Sequence, residues 1–370
     1  MSRAVVFRTD ASLQIGSGHV MRCLTLATAL KEQGVTCHFI CREHPGNLID
    51  QIRDRGLAVT ALVTDGLDLR PVAQDGESLP AHAAWLGVDW QTDAEATRDV
   101  LQSISPDWLI VDHYALDRSW EQALRSHCTQ LMVIDDLADR PHDCDLLLDQ
   151  NLGREVANYV DLVPAACTVL TGTRYALLRP EFAALREYSL QRRHPPQLRQ
   201  LLITMGGMDQ SNATGQVLDA LRQCPLPQDC RITVVMGLHA PWLAKVQVQA
   251  ADFPWPCEVK VNVSDMAQLM AESDLAIGAA GSTSWERCVL GLPTLMVVLA
   301  GNQQDIANAL EDAHAAVRVD LSASETMPKY LQLLMQRPDL LFRMSASAAQ
   351  ISDGSGLQRV VNTLWQGEAS

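Results

Sequence analysis

The sequence has no hydrophobic run long enough to cross a membrane. Its longest apolar stretch lies near Thr294–Gly301, whereas a membrane-spanning helix needs about 20 apolar residues. Nor do residues Met1–Ala4 begin a secretory signal peptide, because Arg8 and Asp10 follow after one short apolar segment. The sequence therefore predicts a cytoplasmic protein that does not insert into membranes.

Basic residues are too few for a protein that binds nucleic acid over a broad surface. There are 29 Lys and Arg against 44 Asp and Glu, which gives a net charge of −15. Such a surface repels nucleic acids and anionic membranes, although one local pocket can still hold an anionic small molecule. No segment indicates an obligate protein partner, so we expect the ligand to be a small molecule.

The cysteine pattern argues against a metal centre. The ten cysteines include no C-x-x-C pair, and no combination of Cys and His has the spacing typical of zinc ligands. We interpret them as reduced thiols that are mostly buried in the core. The sequence predicts neither a bound metal nor a cofactor.

Strand and helix patterns alternate along the chain, which predicts βαβ units, mostly parallel sheets and an α/β fold. The predicted elements include strands at Trp108–Asp112, Leu146–Asp149 and Val259–Val263 and a helix at Met266–Glu272. The length suggests two domains of about 150 residues or more. We predict a polar linker at 187–199, between an N-terminal domain at 1–186 and a C-terminal domain at 200–370. The simplest architecture is two Rossmann-like domains that face a central cleft.

The most informative motif is the turn Ile15–Arg22, which follows a predicted strand at Ala4–Arg8 and precedes a predicted helix. Ligands of open α/β sheets bind at the carboxyl ends of strands, and glycines let the backbone approach them closely. The neutral imidazole of His19 can accept a proton near pH 7. His19 is therefore a candidate base, with Gly18 and Arg22 beside it. The alternative is a tight turn with a packed histidine.

Two small-residue loops in the second half also connect a strand to a helix. The loop Gly206–Asp209 contains Gly207, whose neighbourhood can offer backbone N–H groups to phosphate. The loop Gly278–Thr283 is followed by Glu286, a carboxylate that can accept ribose hydroxyls. Taken singly, an ordinary turn, a helix cap and a first-turn charge explain them equally well. Together they favour a nucleotide site.

Polar residues also end strands in the first half of the chain, at Asp112–Tyr114, Asp135–Asp136 and Asp149–Asn151. At the edge of a parallel sheet they could orient a sugar or a water molecule. Paired carboxylates are also typical of glycosidases. Helix capping and loop solvation are the alternatives.

These motifs resemble the PseG family of UDP-sugar hydrolases. The resemblance covers essentially the whole chain and rests on Arg8–Cys23, Val133–Arg140, Asp145–Asn151, Tyr175–Phe182, Met205–Asp209 and Gly278–Gln303. It implies a GT-B fold and hydrolysis of UDP-2,4-diacetamido-2,4,6-trideoxy-β-L-altropyranose to UDP and the free sugar, a step of pseudaminic acid biosynthesis for flagellin glycosylation. The stretch 64–83 aligns with no motif.

The resemblance also implies roles for single residues, with His19 as the catalytic base and Val263 beside the uracil. The predicted substrate-binding residues are Gly18, Arg22, Tyr114, Gly207, Asp209, Val263, Gly281, Ser282, Thr283, Glu286, Asn302 and Gln303. The second-domain loops are shared with MurG-like glycosyltransferases, so a UDP-sugar transferase is the alternative function.

The predicted chemistry needs one base and donors for the diphosphate, because UDP is a stable leaving group. Attack by water from the opposite face would invert the anomeric carbon. If neutral His19 is the base, kcat/KM should fall below about pH 6.5, the ordinary pKa of histidine. A flat profile would point to a carboxylate instead, with Asp10 or Asp112 as candidates.

Overall fold

The computed structural model describes residues 3–63, 79–323 and 325–365. The chain forms two compact units, one from Met1–Leu177 with Leu357–Ser370 and one from Leu178–Gly356. Each unit is built on a sheet of parallel strands, so the predicted α/β class is confirmed. Residues 64–78 of the unaligned stretch lie outside the described residues.

The first unit contains a seven-stranded parallel sheet. Its strands are β1 (Ala4–Thr9), β2 (Thr36–Arg42), β3 (Ala58–Leu62), β4 (Trp108–Asp112), β5 (Gln130–Ile134), β6 (Leu146–Asp149) and β7 (Thr168–Thr171). Its first helices are α1 (Gly18–Glu32), α2 (Ile49–Asp54), α3 (Trp90–Ile104) and α4 (Arg118–Leu124). The strand order is β3-β2-β1-β4-β5-β6-β7. Because neighbouring side chains of a strand point to opposite faces, Val5 and Val6 belong to two hydrophobic clusters, one on each face.

The second unit contains a six-stranded parallel sheet. Its strands are β8 (Gln200–Thr204), β9 (Arg231–Met236), β10 (Cys257–Val261), β11 (Leu275–Ala279), β12 (Thr294–Val297) and β13 (Ala316–Arg318). Its helices are α5 (Pro180–Arg192), α6 (Ala213–Leu221), α7 (Leu243–Ala251), α8 (Met266–Glu272), α9 (Thr283–Val289), α10 (Gln304–Asp312), α11 (Thr326–Gln336) and α12 (Pro338–Ile351). The strand order is β10-β9-β8-β11-β12-β13.

The strand order changes direction once in each sheet. In the first sheet β1 lies beside β4, and in the second β8 lies beside β11. Ligands of open parallel sheets bind at the carboxyl ends of the strands at such a switch point. The loops after β1, β4, β8 and β11 are therefore where the fold favours a site.

The predicted linker at 187–199 and the predicted end of the first domain at 186 are wrong, because the second unit already begins at Leu178 and residues up to Arg192 continue α5. The polar side chains that suggested a linker are held by backbone carbonyl groups of the second unit. Arg193 donates to the carbonyls of Leu290 (2.6 Å) and Met270 (2.9 Å), and Arg192 donates to that of Ser273 (3.3 Å). Charged residues here satisfy buried carbonyls rather than facing water.

The predicted second domain also ends too late. The last helix, α13 (Gly356–Trp365), belongs to the first unit, where Val360 and Leu364 join the hydrophobic cluster that contains β1. The indole N–H of Trp108 donates to the carbonyl of Leu364 at 3.2 Å. The first unit is thus assembled from both ends of the chain.

Seven of the ten cysteines are buried and none is in a disulfide, in keeping with the core-thiol interpretation. Across the described ranges, no helix combines the length and the apolar character needed to span a bilayer.

A buried ion-pair network connects β1, β2 and α3. The guanidinium of Arg8 donates to both carboxylate oxygens of Asp93, at 3.0 and 2.7 Å, and to Asp10 at 2.6 Å. Arg42 donates to Asp93 at 2.5 Å. Burial opposes ionisation of Asp93, but the charge and hydrogen bonds of Arg8 and the charge of Arg42 hold its pKa below the usual value. The network fixes the strand from which the His19 turn departs.

Replacing Asp93 with alanine should destabilise the protein strongly, because two buried guanidinium groups lose their shared partner. Removing one member of a buried ion pair costs about 3–5 kcal/mol. Urea unfolding followed by circular dichroism measures the loss. The matched control is Asp50→Ala, which breaks an exposed pair with Arg53 and should leave the midpoint nearly unchanged. Equal losses in the two variants would contradict the assigned importance of the network.

Candidate active site

His19 and Asp112 form a hydrogen-bonded pair at the switch point of the first sheet. His19 is the second residue of α1, and the turn before it is closed by the Gly16 N–H, which donates to the Ser12 carbonyl at 2.9 Å. Asp112 is the last residue of β4, the sheet neighbour of β1. The His19 Nδ1 atom lies 2.5 Å from Asp112 Oδ1. Neighbouring strand ends thus bring together residues that are 93 positions apart in sequence.

The charge state of Asp112 determines which nitrogen of His19 carries the proton. Burial raises the pKa of Asp112, but the Arg22 charge and the His19 contact outweigh it and hold that pKa well below its usual range. The ionised carboxylate accepts a hydrogen bond, so the imidazole proton lies on Nδ1 and the Nε2 lone pair is the basic one. Among the described residues, none hydrogen-bonds Nε2. This arrangement is the one a general base requires.

Arg22 holds this pair in place. It donates to Asp112 Oδ2 at 2.6 Å and Oδ1 at 2.7 Å, and to Asp136 at 2.6 Å. The hydroxyl of Tyr114 donates to the same Asp136 oxygen at 2.6 Å, and its ring lies edge-on to His19 at 4.5 Å. The predicted residues Arg22 and Tyr114 therefore do lie beside His19. Gly18, also predicted, is the first residue of α1.

The two carboxylates considered as alternative bases are both committed to buried ion pairs. Asp10 is completely buried, accepts from Arg8 at 2.6 Å and from the Arg42 backbone N–H at 2.7 Å. Burial raises its pKa, but Arg8 and nearby histidines hold it well below the usual range. Asp112 accepts from Arg22 through both oxygens. Neither carboxylate is placed to take a proton from water.

The other strand-end carboxylates form a buried cluster around Tyr159. Its hydroxyl lies 2.9 Å from Asp135 Oδ2 and 2.8 Å from Asp149 Oδ2. Burial and the charge of Asp136 raise the pKa of Asp149 to about 7. Asp135 is paired with Arg140 at 2.9 Å. Because Asp135 and Asp149 are completely buried, the cluster supports the sheet edge and does not present the exposed carboxylate pair of a glycosidase.

In the second unit, the buried side chain of Arg287 supports the loop between β11 and α9. This side chain donates to the carbonyl of Ala279 at 2.8 Å, and a Cβ atom at Gly278 would lie 2.7 Å from its Nη1. Ser282 is exposed and is the N-cap residue of α9, as one interpretation of the sequence held, but its hydroxyl makes no capping hydrogen bond. The hydroxyl of Thr283 accepts from Arg287 at 3.3 Å. Only a glycine at 278 lets the arginine support this loop.

Glu286 is a half-buried carboxylate in the first turn of α9. Burial raises its pKa to about 7, although the charges of Arg179 and Arg287 act in the opposite direction. No hydrogen bond to its carboxylate comes from any described residue. Gln303 borders the same loop, because a Cβ atom at Gly281 would lie 3.9 Å from its Nε2. Glu286 and the amide nitrogen of Gln303 are thus available to a ligand.

The remaining predicted residues lie in loops at the same ends of the strands. Asn302 lies with Gln303 in the turn after β12, and Gly207 lies in the turn after β8. Val263 follows β10 rather than ending it, because the strand stops at Val261. Asp209 caps α6 by accepting from the backbone N–H groups of residues 213 (2.7 Å) and 214 (2.9 Å). The structure thus gives Asp209 a supporting role within its loop.

Sequence reasoning missed the contribution of Asp136 and treated Asp112 as a rival of His19 rather than its partner. The available signal was positional, since aspartates end β4 and follow β5 in the sheet that also holds the strand before His19. For the parts of the chain that the structure describes, no group of three or more His, Cys, Asp or Glu side chains is arranged to hold a metal ion.

The fold and these loops define a GT-B type of α/β protein, as predicted. The crystal structure of MurG from Acinetobacter baumannii superposes with a TM-score of 0.70 at 17% identity, covering 99% of this chain and 100% of that one. Residues 201–360 match the model of the Glycosyltransferase family 28 C-terminal domain.

The particular resemblance predicted from the motifs is also confirmed. The UDP-2,4-diacetamido-2,4,6-trideoxy-beta-L-altropyranose hydrolase of Campylobacter jejuni is 27% identical over 309 residues, 83% of this chain and 95% of the hydrolase. An uncharacterized protein of Methanocaldococcus jannaschii is 25% identical over 300 residues, which are 80% of this chain and 55% of that protein. The chain thus resembles the PseG hydrolases in sequence and MurG in fold.

Proposed function

We propose that this protein is an enzyme that hydrolyses a UDP-activated sugar, with His19 as the general base. The observation that carries the proposal is the His19–Asp112 pair, whose Nε2 atom has no hydrogen-bond partner among the described residues. The likeness to the Campylobacter jejuni hydrolase supports UDP-2,4-diacetamido-2,4,6-trideoxy-β-L-altropyranose as the substrate. A cytoplasmic location and a place in pseudaminic acid biosynthesis stay predictions.

In this mechanism Nε2 of His19 takes a proton from water as the water oxygen bonds to the anomeric carbon. The bond between that carbon and the diphosphate oxygen breaks, and UDP leaves with the electron pair. Asp112 keeps the imidazole in the reactive tautomer and stabilises the imidazolium that forms. Because the diphosphate is a weak base, its departure needs no strong acid. Attack opposite the leaving group inverts the anomeric centre.

We assign the nucleotide to the loops of the second unit. Backbone N–H groups near Gly207 and Gly281, with the hydroxyl of Ser282, would hold the diphosphate. Glu286 would accept the ribose hydroxyls, and Val263 would contact the uracil. The amide nitrogen of Gln303 would serve the sugar side, with Asn302 next to it. The loops that contain Gly207 and Gly281 follow β8 and β11, the two strands that flank the switch point of their sheet, which supports the assignment of the diphosphate.

Glu286 should make UDP binding pH-dependent. Its pKa of about 7 means that the carboxylate form, which accepts ribose hydroxyls better, increases as the pH rises from 6 to 8. Calorimetry should show UDP affinity rising over this range in the wild type. The phosphate of UDP also titrates near its lower end, so Glu286→Gln is the control that isolates the carboxylate. The same slope in both proteins would rule out this role of Glu286.

The alternative function is a glycosyltransferase that uses an acceptor in place of water. The family 28 match of residues 201–360 favours this possibility. A phosphorus and proton NMR time course on the UDP-diacetamido sugar, without any acceptor, separates the two. Appearance of UDP together with free sugar supports the hydrolase, with the first-formed anomer reporting inversion. Intact UDP-sugar that binds without turnover would reject it and favour the transferase.

A further inference from the structure

Three aromatic rings form a continuous surface next to His19, which we call the aromatic wall: His82, Trp85 and Tyr114. The ring centroids of His82 and Trp85 are 4.2 Å apart. The rings of Trp85 and Tyr114 are stacked, with centroids 5.9 Å apart and an angle of 28° between their planes. His82 lies 5.6 Å from Tyr114. Since Tyr114 contacts His19 edge-on, one end of the wall lies directly beside the proposed base.

The rings of His82 and Trp85 are held in place by the short segment that carries them. Residues Ala83–Leu86 form one turn of 3₁₀ helix, and Leu86 and Val88 are buried in the hydrophobic cluster on one face of the first sheet. Gly87 follows with a φ of +76°, and a Cβ atom there would lie 2.8 Å from the His44 ring. The segment is therefore anchored on the C-terminal side of Trp85, and the rings are positioned before any ligand binds.

His82 and Trp85 do not contribute to the core that anchors them. Both are only partly buried, and Trp85 is not a member of the two hydrophobic clusters of the first unit described above. Within the described ranges, the indole N–H of Trp85 and the ring nitrogens of His82 make no hydrogen bond. Half-exposed aromatic rings with free polar atoms are suited to ligands that combine apolar and polar groups.

We propose that the aromatic wall is the sugar subsite and that Trp85 selects sugars with apolar substituents. The ring faces would contact methyl groups, such as those of acetamido groups or of a deoxygenated carbon, and the indole N–H would donate to an amide carbonyl. A hydroxyl in the same place would lose its water without gaining a partner. This inference rests on the proposed function and names a residue that determines its specificity.

The test compares Trp85→Ala and Trp85→Phe with the wild type. With the UDP-diacetamido sugar, Trp85→Ala should raise KM about tenfold and change kcat little, since an aromatic contact is worth about that ratio. Trp85→Phe should recover most of the loss. The inhibition constant of UDP should stay within about twofold, and the preference over UDP-N-acetylglucosamine should shrink. Phe342→Ala, an exposed aromatic of the second unit, is the matched control.

Binding to the His19→Asn variant, whose turnover should be about 10³-fold slower, tests the wall with little hydrolysis of the ligand. Calorimetry should show that Trp85→Ala weakens binding of the intact UDP-diacetamido sugar but leaves UDP binding unchanged. Unchanged KM and binding, or an equal loss for UDP and UDP-sugar, would overturn the inference. Failure of the proposed function looks different, because wild-type protein would then release no sugar, whatever residue occupies position 85.

Discussion

His19→Asn should reduce kcat for the UDP-diacetamido sugar by about 10³-fold, within the 10²–10⁴ range of general-base catalysis. Asparagine is similar in size and its amide can still donate to Asp112, but it offers no nitrogen that accepts a proton near neutral pH. Substrate affinity should change little, because the proposed nucleotide contacts lie in the second unit. The loss therefore belongs to the chemical step.

The measurement is an NMR assay of sugar release in reactions stopped at fixed times, at pH values from 5 to 9. Calorimetry measures binding of the intact substrate. The wild type should lose kcat/KM on the acid side, and the residual activity of the variant should lack that limb. His127→Asn, a second histidine of the first unit, is the matched control and should behave as wild type. Near-normal turnover by His19→Asn would assign the base to another group.

Asp112→Asn should reduce kcat nearly as much, by about 10³- to 10⁴-fold. Both Asp112 oxygens accept from Arg22, so whichever way the amide is oriented, one guanidinium N–H loses its acceptor. An amide NH₂ facing His19 would donate to Nδ1 and move the imidazole proton to Nε2. The imidazole would then present a donor to water where a base is needed.

The same sugar-release assay measures this effect, with circular dichroism and thermal unfolding to show that the variant is folded. Asp139→Asn, which alters a partly exposed aspartate of the same unit, should retain wild-type kcat. Binding of the intact substrate should survive in both variants. If Asp112→Asn kept more than about a tenth of the activity, orientation of His19 by Asp112 would not be needed for catalysis.

The helices and strands could be predicted because burial requires apolar residues, which recur in the sequence with the period of the element. The strands at Trp108–Asp112 and Leu146–Asp149 and the helix at Met266–Glu272 have the predicted limits. Boundaries set by long-range contacts could not be read in this way. The charges near Arg193 indicated a solvated linker, yet they satisfy carbonyls that lie 77 to 97 residues away in sequence.

One part of the candidate site could be predicted from the sequence, and the part that depends on long-range contacts could not. The His19 turn was predictable, because two glycines beside a histidine directly after the first strand are typical of a ligand-binding turn. The Asp112 partnership was not, since it depends on β4 lying next to β1 rather than on any spacing in the chain. The capping role of Asp209 and the wall formed by His82 and Trp85 also left no pattern, because single loop conformations decide them.

The return of α13 to the first unit has a consequence for biosynthesis. The second unit is one uninterrupted stretch, Leu178–Gly356, inserted into the first. A ribosome therefore releases every residue of the inserted unit before Val360 and Leu364 emerge to close the cluster around β1. Domains usually mature in the order of synthesis. The unit that carries His19 is therefore synthesised first but completed last, and a chain truncated before α13 would lack part of the core behind the His19 turn.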